Sequence, residues 1–178
     1  MNARHTKTAP HPAALPCPCG GYVVTAAPAP GEQHAVPSPG TVRLPASPAA
    51  RSQAPGKTQG RILYGNCCAR LIESGEIPVN AEQLMRSRYT AYVLERFDYL
   101  RETWDPATCP ADLGSEPGPQ WLGLDVRRHE PLDDRHALVE FVARYKVGGR
   151  AHRLQELSRF VRGEDGRWRY VDGQISDR

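Results

Sequence analysis

Arg135 to Arg162 reads RHALVEFVARYKVGGRAHRLQELSRFVR, two long runs of alternating apolar and polar residues on either side of Gly148-Gly149. Paired glycines supply the positive φ angles of a two-residue hairpin turn, so Arg135 to Val147 and Arg150 to Arg162 are expected to fold back on each other as antiparallel strands. With the turn placed there, Tyr145 faces His152, Ala143 faces Leu154 and Phe141 faces Glu156 on one side of the sheet. That side is apolar apart from His152, Glu156 and Ser158.

The pattern extends in both directions. Asp165-Gly166 forms a second hairpin whose returning arm runs from Arg167 to Asp172. Upstream, Leu122, Leu124 and Val126 alternate with Gly123, Asp125 and Arg127 after Gln120, a further strand that a turn at Pro131 to Asp134 joins to the long hairpin. Before the strands come helices. After Pro78, Asn80 is a helix N-cap with Gln83 three residues on, and Ala81, Leu84, Met85, Tyr89, Tyr92 and Val93 follow at helical spacing. Phe97 to Trp104 reads as a shorter helix stopped by Asp105-Pro106, because proline disfavours helical backbone in the residue before it. Residues 105–119 are a Pro/Gly-rich loop. Helices followed by a meander of about four strands define an α+β class.

Composition limits what lies outside this domain. A chain of 178 residues accommodates one full domain and a small appendage that needs a staple of its own. Residues 1–16 read as a flexible tail. Residues 22–60 read as a disordered insertion, since nearly half are Ala, Pro or Gly and Tyr22 is their one aromatic residue. Five of the 23 Lys/Arg but one of the 20 Asp/Glu fall in residues 1–60, so the formal charge of +3 belongs to that part. The remainder is near neutral and lacks the basic footprint of a nucleic-acid-binding domain. No run approaches the ~20 apolar residues of a membrane span, and the start carries no secretory pattern, which points to the cytoplasm. In a reducing compartment clustered cysteines favour metal or redox chemistry over structural disulfides.

Cys17-Pro-Cys19-Gly and Cys67-Cys68 bring four thiols in two close pairs, the number that a closed tetrahedral zinc site requires. The competing readings are small buried residues at a helix start and an exchanging thiol pair. At these residues the chain resembles the SEC-C zinc motif, which ends in Cys-Cys or Cys-His. Leu84 to Tyr92 (LMRSRYTAY) and Ser158 to Arg162 (SRFVR), with Trp168 to Gly173, resemble the YchJ family. The resemblance implies zinc held by Cys17, Cys19, Cys67 and Cys68, in a knuckle formed by 17–21 and 61–74. It further implies a nuclear-transport-factor-2-like cone over 78–174, in which helices close over a curved sheet. The family has a short loop between the two cysteine pairs where this chain carries residues 22–60. Lengthening a flexible loop costs about 0.6 kcal/mol per doubling, hence about 1.5 kcal/mol here. A structural zinc contributes on the order of 10 kcal/mol, so the insertion can be looped out.

A cone leaves a pocket at its wide end. Glu156 lies on the apolar side among Phe141, Leu154 and Phe160, where a carboxylate needs a partner; Arg86 or Arg88 on the first long helix is available, with Tyr89 nearby. A structural ion pair, a ligand site and a catalytic acid or base are the three readings of this group. The family pattern has histidine where this chain has Gln155, which cannot act as an acid or base. His129, His136 and His152 show no metal-like spacing, Cys109 is a loop thiol, and Trp104, Trp121 and Trp168 read as packing. No phosphate loop or nucleophile elbow is present. The sequence therefore favours a non-catalytic binding protein over an enzyme acting through Glu156. By resemblance, SEC-C knuckles also terminate the translocase ATPase SecA, where they contact the chaperone SecB and ribosomes, so the expected partners are proteins met through the knuckle. Nucleic acid is expected only indirectly, through ribosomes.

Overall fold

Asn80 opens the principal helix as its sequence requires. In the computed structural model, which describes residues 12–21, 61–115 and 118–176, the Asn80 side chain accepts from the backbone N–H of Gln83 and the Gln83 side chain accepts from that of Val79. The elements in chain order are α1 (Ala69–Ile72), α2 (Ala81–Val93), α3 (Phe97–Glu102), β1 (Gln120–Pro131), β2 (His136–Val147), β3 (Arg150–Arg162) and β4 (Trp168–Ile175). The four strands form one antiparallel sheet in the order β1-β2-β3-β4. Its class is the expected α+β, helices before a meander.

The glycine turn sets the register. Tyr145 is opposite His152, Ala143 opposite Leu154 and Phe141 opposite Glu156, and Val139, Phe141, Ala143 and Phe160 are buried against α2. Three irregularities curve the sheet, between Trp121 and Gly123, between Val126 and Arg128, and opposite Arg159/Phe160. The first corrects the sequence reading of β1. An extra residue at Leu122 turns that side chain out, where it is 48% exposed, and Trp121 takes its place on the inner face with Leu124 and Val126. Trp121 packs on Tyr89, Tyr92 and Tyr145 at ring centroid distances of 5.6, 6.0 and 5.7 Å.

Helix α2 is buried on more sides than a stripe of apolar residues would suggest. Ser87, Arg88 and Thr90 are inside along with Leu84, Met85 and Tyr89, because the sheet, α3 and the cysteine knuckle each cover part of the helix. The Ser87 hydroxyl bonds the Leu84 carbonyl at 2.8 Å and the Tyr99 hydroxyl at 2.7 Å, which fixes α3 against α2. After α3 the chain runs along the β4 edge. Tyr170 N–H donates to the Thr103 carbonyl and Asp105 N–H to that of Tyr170, so this edge is covered rather than open.

The tail expected over residues 1–16 is held from residue 12 onward. Pro12–Ala14 makes a 3-10 turn, Tyr64 N–H donates to the Leu15 carbonyl at 2.8 Å, and Pro16 pairs with Leu63. The backbone bonds to 62–64 explain the difference, since composition alone gave no sign of that pairing. The expected insertion over 22–60 and the tail over 1–11 lie outside the described residues.

The bulge at Leu122 is checked by paired substitutions. Leu122→Ser is expected to change the unfolding free energy by no more than about 0.5 kcal/mol, as at other exposed positions. Trp121→Ala, which removes three ring contacts, is expected to cost about 2–3 kcal/mol, below the range for a wholly buried aromatic. Urea unfolding of both variants reads the difference, and equal effects would contradict this register.

Candidate functional site

The cysteine knuckle is built by two chain segments that cross. Cys17 N–H donates to the Ile62 carbonyl at 2.9 Å, and Gly20 N–H returns to the Cys17 carbonyl at 3.1 Å, closing a tight turn around Cys19. Gly20 and Gly21 have φ of 89° and 68°. A Cβ at Gly21 would stand 2.7 Å from the Ile62 nitrogen, so glycine is required where the two segments meet. On the other segment, the 3-10 turn Tyr64–Asn66 leads into α1 and places Cys67 and Cys68 at its start.

These turns bring all four sulfurs within 4.8 Å of one another. Neighbouring Sγ atoms are 3.4 Å apart for Cys17 and Cys19, 3.6 Å for Cys19 and Cys67, and 3.9 Å for Cys67 and Cys68. Cys17, Cys19 and Cys68 are buried and Cys67 is half-buried. The sulfurs are also part of the core, in contact with the same cluster as Leu84, Tyr89 and Phe141.

Two residues of α2 attend the cluster. Thr90, fully buried, donates its hydroxyl to Cys68 Sγ at 3.4 Å and lies 3.8 Å from Cys17 Sγ. Arg86 donates to the Cys19 carbonyl at 3.1 Å and pairs with Glu82 at 2.9 Å. A further tie joins the knuckle to the residues between α2 and α3. Tyr64 OH donates to Glu73 at 2.8 Å, and Glu73 also pairs with Arg96 at 3.3 Å. Burial, followed by Glu73, raises the Tyr64 phenol well above its usual range.

The thiols do not titrate alike. Hydrogen bonds, first from Cys19 and then from Cys67 and Cys68, hold the Cys17 thiol far below its ordinary value. Cys67 and Cys68 are pushed up, chiefly by their hydrogen bonds to Cys17. Cys19 is lowered too: its hydrogen bond with Cys17 raises it, but those from Cys67 and Cys68 outweigh that. Thiolates at Cys17 and Cys19 form readily, and further charge on Cys67 and Cys68 beside them is opposed by repulsion and burial. A bound cation removes that conflict, because a coordinating thiol is deprotonated outright.

A cavity of about 270 Å³ opens between α2 and the inner face of the sheet. Of the sequence candidates, Arg88, Tyr89 and Glu156 line it, with Tyr92, Trp104, Trp121 and Tyr170 among the walls. Arg86 is absent from that lining, because two residues before Arg88 it lies about 200° around the helix and serves the knuckle. The ion pair expected between Glu156 and Arg86 or Arg88 does not form among the described residues. Glu156 Oε1 instead accepts from Ser158 Oγ at 2.6 Å and from Tyr170 OH at 3.0 Å. Arg88 donates through Nη1 to the Leu100 carbonyl and to Thr103 Oγ1, both at 2.9 Å, and its Cζ lies 4.6 Å from the Trp104 ring and 4.8 Å from that of Tyr170. Desolvation lowers the Arg88 pKa, and burial raises those of Tyr92 and Tyr170 and pushes Tyr89 up to about 12.

Gly173 makes room for Glu156, a role the sequence reading missed. A Cβ there would meet Glu156 Oε1 at 2.0 Å and its Cδ at 2.4 Å. A glycine within a strand is the available signal for such a close approach. Gln155 is opposite Val142 and donates to Glu140 at 2.8 Å, on the sheet face away from the cavity. His129 and His136 do not line this cavity, and His136 bonds Asp133 at 2.9 Å.

Helices closing over a curved antiparallel sheet, with a four-cysteine knuckle packed on the principal helix, define a nuclear-transport-factor-2-like cone of the SEC-C-bearing kind. The family profile described as "YchJ, middle NTF2-like domain" matches residues 80–173. The UPF0225 protein RSc0270 of Ralstonia nicotianae is 56% identical over 128 residues, which cover 66% of this chain and 89% of that relative. A UPF0225 protein of Bordetella pertussis is 51% identical over 118 residues, 63% of this chain and 86% of that one. Among solved structures, the SEC-C motif containing protein RPA3114 from Rhodopseudomonas palustris superposes with a TM-score of 0.59 at 32% identity, covering 67% of this chain and 96% of its own. A SEC-C motif containing protein from Psychrobacter arcticus gives 0.54 at 30% identity, covering 69% and 78%. The chain belongs to the YchJ (UPF0225) family. Among the described residues no helix is long and apolar enough to cross a membrane.

Two substitutions test this geometry. Thr90→Val keeps the volume and removes the hydroxyl at Cys68, so affinity for added zinc, read by chelator competition, is expected to fall roughly tenfold. Gly173→Ala is expected to destabilise the fold by about 1–3 kcal/mol by expelling Glu156. The same change in a Glu156→Ala background should cost much less, and equal losses in the two backgrounds would contradict the packing.

Proposed function

We propose that this chain is a zinc-dependent, non-catalytic binding protein in which the metal is structural and the cavity of the cone is the seat of recognition. The observation that carries the metal assignment is the sulfur geometry. A zinc ion with four thiolates at about 2.3 Å in a tetrahedron separates neighbouring sulfurs by about 3.8 Å; three of the sulfur pairs here lie at 3.4, 3.6 and 3.9 Å, and all four sulfurs lie within 4.8 Å of one another. Cys17, Cys19, Cys67 and Cys68 together fill a tetrahedral shell and leave no position for substrate, the arrangement of a structural rather than a catalytic zinc. The ion would supply charge for the thiolates and a cross-link between the two crossing segments.

Binding is favoured over catalysis by what lines the cavity. Glu156 is its one carboxylate, and no histidine, cysteine or second acid lines the cavity among the described residues; the tyrosines there, Tyr170 at the carboxylate included, have phenol pKa values raised by burial, which makes them poor bases near neutral pH. The position of Glu156 inside the cavity is the observation that favours the alternative, an enzyme using this carboxylate. The knuckle's outer surface, where Leu63 is 40% exposed and Leu15 45%, is the place for the protein partners that the SEC-C resemblance implies. A cytoplasmic location follows from the same reading, since clustered thiols stay reduced there and available to a metal.

Metal analysis of untagged, anaerobically purified protein is expected to find one zinc per chain. Cys17→Ser with Cys19→Ser is expected to lose it, and chelation of the unaltered protein to lower the melting temperature of the whole cone, because the sulfurs are part of its core. Zinc at less than a tenth of stoichiometry in anaerobic protein, or a melting temperature indifferent to chelation, would contradict the proposal.

A further inference from the structure

The cavity of the cone holds two opposite charges that do not neutralise each other. Arg88 is only 2% exposed. Its Nη1 bonds the Leu100 carbonyl and Thr103 Oγ1, while its Nε and Nη2 donors have no acceptor among the described residues. Glu156 Oε1 accepts twice, from Ser158 and Tyr170, while its Oε2 has no donor there. Both residues line the same space. Tyr170 stands between them, with the guanidinium over its ring and the carboxylate at its hydroxyl.

Both charges are fixed on one side and open on the other. Arg88 is held by Leu100, Thr103 and the rings of Trp104 and Tyr170, and Glu156 by two hydroxyls and the niche left by Gly173. A buried charge without a partner is costly to keep, so groups held this firmly are preorganised for a ligand that completes them. The rest of the wall is apolar or aromatic, including Met85, Tyr89, Trp121, Phe141 and Leu154. The space, about 270 Å³, holds about nine water-sized groups, at the lower limit of small-molecule sites.

We infer that the cavity binds a small zwitterion of amino-acid size with an apolar or aromatic side chain, its carboxylate accepting from Arg88 and its ammonium donating to Glu156 Oε2. A monocarboxylate would leave Glu156 Oε2 without a donor, an amine would face Arg88 as a like charge, and a neutral apolar molecule would satisfy neither. The inference rests on the cavity being the seat of recognition, and it adds the chemistry of what is recognised.

The test uses the full zinc-loaded chain and follows the indole N–H resonances of Trp104 and Trp121, which line the cavity. The probes are L-phenylalanine, 3-phenylpropionate, 2-phenylethylamine and benzyl alcohol. L-Phenylalanine is expected to shift both resonances and to bind about tenfold or more tightly than either singly charged analogue, as a lost charge-assisted hydrogen bond requires. Glu156→Gln is expected to bring phenylalanine down to the level of phenylpropionate and to leave phenylpropionate unchanged, with the spectrum itself reporting that the variant is folded. Phenylpropionate or benzyl alcohol binding as tightly as phenylalanine would overturn the zwitterion and leave the cavity as a binding site. Undiminished phenylalanine binding by the Gln variant would do the same. If none of the four probes moves either resonance, the zwitterion and the cavity reading fall together.

Discussion

Four cysteine sulfurs within 4.8 Å of one another, three of them on buried residues, cannot all carry charge unless a cation shares the space. The rest of the structure is arranged around that constraint. The sulfurs come from two segments far apart in sequence, so whatever neutralises them also joins those segments. They lie against Thr90 in the last turn of α2, so the join reaches the helix that carries the cone. The knuckle is therefore a part of the domain core rather than an appendage beside it.

Helix α2 connects the two sites. Thr90 and Arg86 face the cysteines, Arg88 and Tyr89 face the cavity, and Ser87 bonds α3. A helix covered on so many sides has little freedom to move one group without moving another. Opening the cysteine cluster would loosen the turn of α2 that carries Thr90, and with it the wall that positions Arg88 and Tyr89. The cavity wall and the knuckle are thus mechanically linked, although they employ different residues.

Much of this was legible in the sequence where a local rule was strong. Gly148-Gly149 set the register of the central hairpin, Asn80 with Gln83 set the start of α2, and the two cysteine pairs declared themselves by number and type. The misreadings have a common physical origin, in choices that only tertiary packing makes. The bulge at Leu122 moved Trp121 inward, which strict alternation cannot foresee. Arg88 read as a partner available to Glu156, yet it is held by aromatic rings and by acceptors on α3 and just beyond it. Glu156 found hydroxyl partners because Gly173, on a neighbouring strand, left it a niche. Residues 12–16 looked like tail because their order depends on backbone bonds to a segment on the far side of residues 22–60.

The most direct measurement is zinc K-edge X-ray absorption on the full chain purified without oxygen. Four sulfur ligands at about 2.3 Å, with no nitrogen or oxygen bound to the metal, is the result the account predicts. Fewer than four sulfurs, with the coordination completed by nitrogen or oxygen, would contradict it, because the four cysteines would then not form one closed site and the tie between knuckle and cone would lose its basis.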